Sequence, residues 1–290
     1  MSTVFKALLW LAAAAGLLYL AGCSLMYAQQ RKIMYLPQYT QVAADQTNFS
    51  LQRPDALLRG WQVHPSTDMN NPTTPVVVYF GGNGEDVRYA MPQLQQALPQ
   101  SHLYTLSYRG YGASEGEPSE DALVGDALAL FDVLRARHAH NPITVIGTSL
   151  GSGVAAAVAK QRQPDKLLLV TPFDSALNVA RHMLPWLPVS LLLKDRYDSV
   201  SRLQSYQGPV LVLRAGSDSV ILPVRTDALL SGLQGKSVTV HSYAGADHNT
   251  ISQQPGFWHA VQSFVMQPAP ALVPVLVPAP QASSLLQTNQ

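Results

Sequence analysis

Three side chains in this chain have the types and the order that activate a weak nucleophile. Ser149 lies in "VIGTSLGSG" (145–153), Asp218 in "RAGSDSVI" and His248 in "AGADHNT". A serine hydroxyl attacks a carbonyl only when a base takes its proton, and the imidazole base is oriented in turn by a carboxylate. Each of the three follows a short, β-rich apolar run, so strands ending at one sheet edge would bring them together. The pentapeptide "GTSLG" (147–151) fits Gly-x-Ser-x-Gly between such a run and a small-residue helical stretch. In that setting the serine sits in a strained strand-to-helix turn, and Gly147 and Gly151 let strand and helix close together. Ser149 Oγ is then expected at a helix N-terminus, where negative charge is favoured.

Other residues compete for the supporting roles. Of the eight histidines, three follow Asp218 in the chain. His241 falls inside the strand-like "VTVHSY" and His259 inside the helical "FWHAVQ", which reads as structural for both. His248 is the expected base. Asp218 is the expected orienting acid, with Asp247 and Asp174 as rivals and Asp198 as a structural hydrogen-bonding group. A second loop, "YFGGNGED" (79–86), also follows an apolar run, and its glycines let backbone amides approach a reacting carbonyl. The amides of Asn83 and Leu150 are the expected oxyanion donors. No lysine follows these glycines at phosphate-loop spacing, so a nucleotide site is not expected.

The elements that must position these residues alternate along the chain. Apolar runs at 57–64, 74–80, 101–108, 142–147, 166–171, 209–215 and 236–244 read as strands, most of them covered on both faces. Helical stretches fall at 85–98, with a proline inside it that kinks or splits it, and at 119–137, 149–162 and 255–267. This alternation predicts an α/β fold: a mostly parallel, doubly wound sheet of about eight strands with flanking helices, the first one or two strands antiparallel. Residues 174–208 form an apolar, proline-broken insertion that is either a small cap over the ligand edge or an extra helix packed on the body. Within it, Met183, Leu184 and Trp186 are read as core packing, with an acyl pocket as the alternative.

Composition narrows the class. Hydrophobic residues make up 47% of the 290-residue chain, charged residues 13%, and the net charge is +1. A sizeable core follows, and nucleic acid is not an expected partner, since phosphate binding needs clustered Lys and Arg. Cys23 is the single cysteine, so neither an internal disulfide nor a multi-cysteine zinc site can form.

It stands in "LAGC" behind an apolar stretch that Lys6 precedes. Residues 1–22 have the layout of a signal peptide, and "LAGC" resembles the bacterial lipobox, which implies cleavage before Cys23 and lipidation of its sulfur. An uncleaved spanning anchor is the main alternative, since uncharged sequence continues to Gln30; an ordinary cleaved signal is the other. Residues 30–266 form the expected folded domain, and 267–290 a Pro-rich disordered tail.

Beyond the serine and oxyanion motifs, "RKIMYLPQ" (31–38), "YRGYGASEGEPSE" (108–120) and "LPVSLLLKDRYDS" (187–199) carry a resemblance. Over nearly all of residues 30–266 the chain resembles the α/β-hydrolase superfamily. It is most similar to a small membrane-associated branch of serine hydrolases that includes depalmitoylase-like and serine aminopeptidase-like members. That branch carries His-Gly-Asn in its oxyanion loop, whereas Gly81 replaces the histidine here. The resemblance implies a Ser-His-Asp esterase or thioesterase that works through an acyl-enzyme with no metal or organic cofactor. Its substrate would be an ester, thioester or acylated molecule, with palmitoyl thioesters the substrate of its depalmitoylase members. Arg109, Gly110 and Gly112 read as turn and scaffold residues. A serine peptidase and a non-catalytic envelope binding protein are the alternatives. The expected location is the bacterial cell envelope, with the catalytic domain periplasmic; the oligomeric state is left open.

Overall fold

The computed structural model describes residues 2–65 and 71–268. An N-terminal helix α1 (Thr3–Met34) leads into two strands, β1 (Phe49–Gln52) and β2 (Leu57–Val63). The alternating part follows as β3 (Val76–Phe80), α2 (Ala90–Ala97), β4 (His102–Leu106), α3 (Glu120–Arg137), β5 (Ile143–Thr148), α4 (Leu150–Arg162) and β6 (Lys166–Val170). Three short helices fill the insertion, α5 (Ala176–Met183), α6 (Val189–Leu192) and α7 (Ser199–Leu203). The chain then forms β7 (Val210–Ala215), α8 (Pro223–Gly232), β8 (Val238–Tyr243) and α9 (Phe257–Met266).

The eight strands make one sheet in the order β1-β2-β4-β3-β5-β6-β7-β8. β1 pairs antiparallel with β2 and β2 antiparallel with β4, while every pair from β4 to β8 is parallel. Parallel strands between helical layers bury both faces, and β3, β4 and β6 are buried at every residue. One apolar layer lies where α3, α4, α7 and α8 cover the sheet. A second lies where α2 and α9 cover the other face.

Local sequence accounts for the element ends. Ser119 accepts from the Ala122 amide and starts α3, with Glu120 and Asp121 in the first turn and Arg135 and Arg137 in the last. The proline in the stretch 85–98 is accommodated by a split. A 3-10 turn at Val87–Tyr89 precedes α2, and Pro92 falls in the first turn of α2, where its missing N–H leaves no intrahelical bond unmade. β1 was not among the expected strands: it has four residues, buried only at alternate positions.

The insertion packs in two parts: Tyr197, Leu203 and Tyr206, around α7, join the main core against α4, and the α5–α6 part packs on α1. Cys23 is buried against Leu187 and Val189, with Met26, Leu177 and Ala180 around them. Tyr19 OH donates to the Trp186 carbonyl (3.1 Å), and Arg31 makes a bidentate pair with Asp195 (2.8 and 3.0 Å). α1 runs unbroken through the "LAGC" segment. The Pro-rich tail beyond Pro268 lies outside the described residues.

Candidate active site

The site starts at the end of β5. Ser149 has φ 51° and ψ −117°, a conformation costly for a residue with a side chain, and α4 begins at the next residue. Two backbone approaches enforce the turn. A Cβ on Gly147 would lie 2.3 Å from the Gly151 carbonyl oxygen, and one on Gly151 would lie 2.1 Å from that of Phe80. The Ser149 amide donates to the Val170 carbonyl (2.9 Å), and its own carbonyl accepts from the Ser152 amide (2.9 Å) and hydroxyl (2.6 Å). The strained residue is thus held from both sides.

The loops after β7 and β8 bring the two partners to the same edge. His248 Nε2 lies 2.9 Å from Ser149 Oγ, and His248 Nδ1 lies 2.8 Å from Asp218 Oδ2. The other Asp218 oxygen accepts from the amides of Val220 (2.9 Å) and Ile221 (2.7 Å), so the carboxylate is fixed before it meets the ring. Asp218 is 4% exposed and Ser149 8%. The rival groups have other partners. Asp247 accepts from the Ser219 hydroxyl and the His248 amide, Asp174 from Asn178 and Arg225, and Asp198 caps α7. His241 is exposed on β8 and His259 exposed on α9.

The loop after β3 faces Ser149, and a Cβ on Gly82 would lie 3.5 Å from that of Ser149. Leu150, the first residue of α4, has an amide without an intrahelical acceptor, as every first helical residue does. The Gly82 amide is engaged elsewhere: it donates to Glu85 Oε2 (2.6 Å). Tyr79 OH donates to Glu85 Oε1 (2.7 Å) and lies 3.2 Å from Thr148 Oγ1. Burial raises the Glu85 carboxyl above the usual carboxylate range, against the pull of these two donors.

Gly81 has no room for the histidine of the resembling branch, since a Cβ there would lie 2.5 Å from Val87 Cγ1. Its carbonyl instead accepts from Tyr108 OH (2.8 Å). The Asn83 side chain ties the loop to the end of α1. Its Oδ1 accepts from the Leu36 amide (3.2 Å) and Tyr111 OH (2.9 Å), and its Nδ2 donates to the Met34 carbonyl.

A cavity of about 580 Å³ opens at Ser149, His248, Gly82 and Asn83. It extends between the sheet and the pair α2 and α9, along Leu94, Ile146, Leu168, Phe257 and Val261. Of the three insertion residues expected in a core or an acyl pocket, only Leu184 packs in an apolar cluster, beside Leu187 and Val189. Met183 (68% exposed) and Trp186 (63% exposed) are not core, and neither they nor Leu184 line the cavity. The α5–α6 part of the insertion packs on α1, while α7 packs on the body beside α4, as the extra-helix alternative expects. Arg109 pairs with Asp55 and Asp126 away from the site. Glu85, Tyr79, Tyr108 and Tyr111 were not foreseen as site residues. Glu85 alone had a local signal, standing next to the glycines of the loop. No cluster of three or more His, Cys, Asp or Glu among the described residues could hold a metal ion.

With the edge geometry in view, likeness to known proteins adds the family. A family model described as serine aminopeptidase, S33, matches residues 70–197, which include Ser149 and the Gly81–Gly84 loop. An uncharacterized Mycobacterium tuberculosis protein, Rv2307c, is 33% identical over 216 residues, covering 71% of this chain and 76% of its own length. The lysophosphatidylserine lipase ABHD12 of Danio rerio is 30% identical over 228 residues, covering 68% of this chain and 59% of its own length. Among solved structures, the Pyrococcus furiosus esterase Pf2001 superposes with a TM-score of 0.58 over 74% of this chain and 90% of that one, at 16% identity. The chain belongs to the α/β-hydrolase superfamily.

Proposed function

We propose that this protein is a membrane-held serine hydrolase that cleaves carboxylic esters or thioesters through an acyl-enzyme. The observation that carries the reading is the continuous contact chain from Ser149 Oγ through His248 to Asp218 Oδ2. His248 Nε2 takes the Ser149 proton as Oγ bonds to the acyl carbon, and the developing oxyanion is held by the amides of Leu150 and Asn83. Collapse of that intermediate breaks the bond to the alcohol or thiol, which leaves with the proton from His248. Water then attacks the acyl-enzyme, gives a proton to His248, and the carboxylic acid leaves as Ser149 recovers its own. Asp218 fixes the imidazole and stabilises it while charged.

The cavity at Ser149 supports an apolar acyl group, because its walls include Leu94, Ile146, Leu168, Phe257 and Val261. The lipase activity in ABHD12's name points the same way. Membrane attachment is supported by α1, whose apolar part is long enough to cross a bilayer by length and composition. We place the protein in the bacterial cell envelope with its catalytic domain periplasmic, and the "LAGC" segment supports processing and lipidation at Cys23.

A fluorophosphonate probe on the full chain tests the activity. Labelling that disappears in Ser149→Ala, with turnover of p-nitrophenyl esters or acyl-thioesters of graded length, supports the reading. A folded wild type that neither reacts with the probe nor turns over an ester overturns it in favour of a binding role. Turnover of peptides alone would make it a peptidase, the class for which the matched family model is described. Mass spectrometry of the mature N-terminus, with Cys23→Ala as control, separates lipidation from a spanning anchor.

A further inference from the structure

Three large apolar side chains of the insertion stand exposed among the described residues: Met183 (68%), Trp186 (63%) and Leu191 (81%). They belong to the segment that packs on α1 through Leu187, Val189 and Cys23. Their level along α1 is fixed. The twenty residues from Thr3 to Gly22 span about 30 Å of helix, the thickness of a hydrocarbon core, with Lys6 as their single charge. Tyr19 falls in the last turn of that span, and its hydroxyl holds the Trp186 backbone carbonyl at 3.1 Å. Helical side chains lean toward the N-terminus, so this bond draws the Trp186 backbone toward the apolar end of α1 rather than toward the sheet. Cleavage and lipidation at Cys23 would give the same level, because the lipid would start on the residue packed against Leu187 and Val189.

The exposed charge of the insertion and the adjoining turns of α1 is mainly basic, with Glu120 and Asp121 of α3 as acidic neighbours. Arg181, Lys194 and Arg196 are exposed on the insertion, and Arg31 and Lys32 are exposed on the next turns of α1. Lys194 Nζ sits 4.1 Å above the Tyr27 ring centroid. Of the acidic groups in the insertion, Asp195 and Asp174 are buried and paired with Arg31 and Arg225, and exposed Asp198 caps α7. Apolar tips ringed by cations and aromatic groups at the end of an apolar span match the boundary of an anionic bilayer.

We propose that residues 181–196 form a second membrane contact, which sets Met183, Trp186 and Leu191 into the headgroup–acyl boundary of an anionic bilayer beside α1. The contact rests on the reading of the N-terminal segment as a membrane attachment, and it is independent of the chemistry at Ser149. It gives the catalytic domain a fixed orientation on the surface, which a single helix does not.

The test uses the full chain in vesicles of phosphatidylcholine and phosphatidylglycerol in equal parts. Spin labels are attached through Met183→Cys, Leu191→Cys and the remote, exposed control His140→Cys; Cys23 is buried, and the unlabelled background is read on the wild type. Labels at 183 and 191 are expected to collide several-fold more with oxygen than with an aqueous nickel complex, relative to 140, and less so in phosphatidylcholine alone. As a second measurement, quenching of tryptophan emission by brominated lipid should fall in Trp186→Phe. Vesicle-bound protein whose labels at 183 and 191 behave like that at 140 overturns the proposal. So does spin–spin broadening between copies, which would assign the patch to self-association. Failure to float with vesicles overturns the attachment and this contact together, whereas loss of fluorophosphonate labelling at Ser149 would overturn the enzymatic reading alone.

Discussion

Ser149 Oγ and His248 Nε2 stand 2.9 Å apart across 99 residues of chain, and Asp218 meets the far side of the same ring. Asp218→Asn keeps an oxygen for the Val220 and Ile221 amides but turns an NH2 group toward His248 Nδ1. The ring then loses its acceptor and takes the wrong tautomer. We expect a fall of about 10⁴ in kcat for ester hydrolysis with the melting temperature within a few degrees of wild type. An Asn variant with wild-type turnover would remove Asp218 from the chemistry.

Glu85 holds the Gly81–Gly84 loop, the proposed oxyanion loop, through the Gly82 amide and Tyr79 OH. Glu85→Ala frees that amide and is expected to lower kcat by about 10²-fold with KM little changed, the scale of one lost oxyanion donor. Glu85→Gln retains an acceptor for Gly82 and should keep most of the activity. The raised pKa of Glu85 has a stability consequence with a definite sign. The native state favours the protonated acid, so its contribution is complete below the ordinary carboxylate range and is lost as pH rises through the raised value. The melting temperature of Glu85→Gln relative to wild type should therefore climb between mild acid and neutral pH.

Much of this site was legible because its residues follow strands in chain order. Ser149, Asp218 and His248 each stand in a loop directly behind an apolar run, and the parallel register of β5, β6, β7 and β8 carries those loops to one edge. The supporting contacts were hidden for a physical reason. Tyr108 and Asn83 act through partners 27 and 49 residues away, and no local period reports such a bond. The insertion misled because apolar residues suit a core, a pocket wall or a lipid surface equally. In the structure Leu187 and Val189 dock against Cys23 of α1, while Met183, Trp186 and Leu191 stay exposed.

Gly151 lets α4 pass close to β3. Gly151→Ala would drive its methyl carbon into the Phe80 carbonyl oxygen, 2.1 Å away, with the Gly81 carbonyl oxygen at 2.6 Å. Backbone cannot rotate away as a side chain does, so a loss of about 3 kcal/mol or more is expected. Thermal melting should fall by about 6 °C or more, and fluorophosphonate labelling should fall with it as the Gly82 loop is pushed from Ser149. A variant of wild-type stability would mean that β3 and α4 are further apart than described.

At the opposite end of β4, acid should destabilise the protein through His138, which takes no part in the site. His138 Nε2 lies 2.8 Å from Tyr104 OH, and its ring centroid is 4.5 Å from that of His102, whose Nδ1 in turn lies 3.0 Å from His64 Nδ1. Burial, and then the neighbouring His102, Arg137 and His64, push His138 down to about 4. Protonation makes Nε2 a donor, so Tyr104 OH can then only accept across this contact. Because the folded-state value is depressed, the contribution is present above the ordinary histidine range and is lost as pH falls toward 4. Its upper bound is about 3.5 kcal/mol, from about 1.4 kcal/mol for each unit of displacement. The melting temperature of the wild type should therefore drop between about pH 6.5 and 4. His138→Gln, which can still accept from Tyr104, should drop less over the same interval while matching wild type near pH 8. Parallel melting curves for the two proteins across that range would assign the acid sensitivity to other groups.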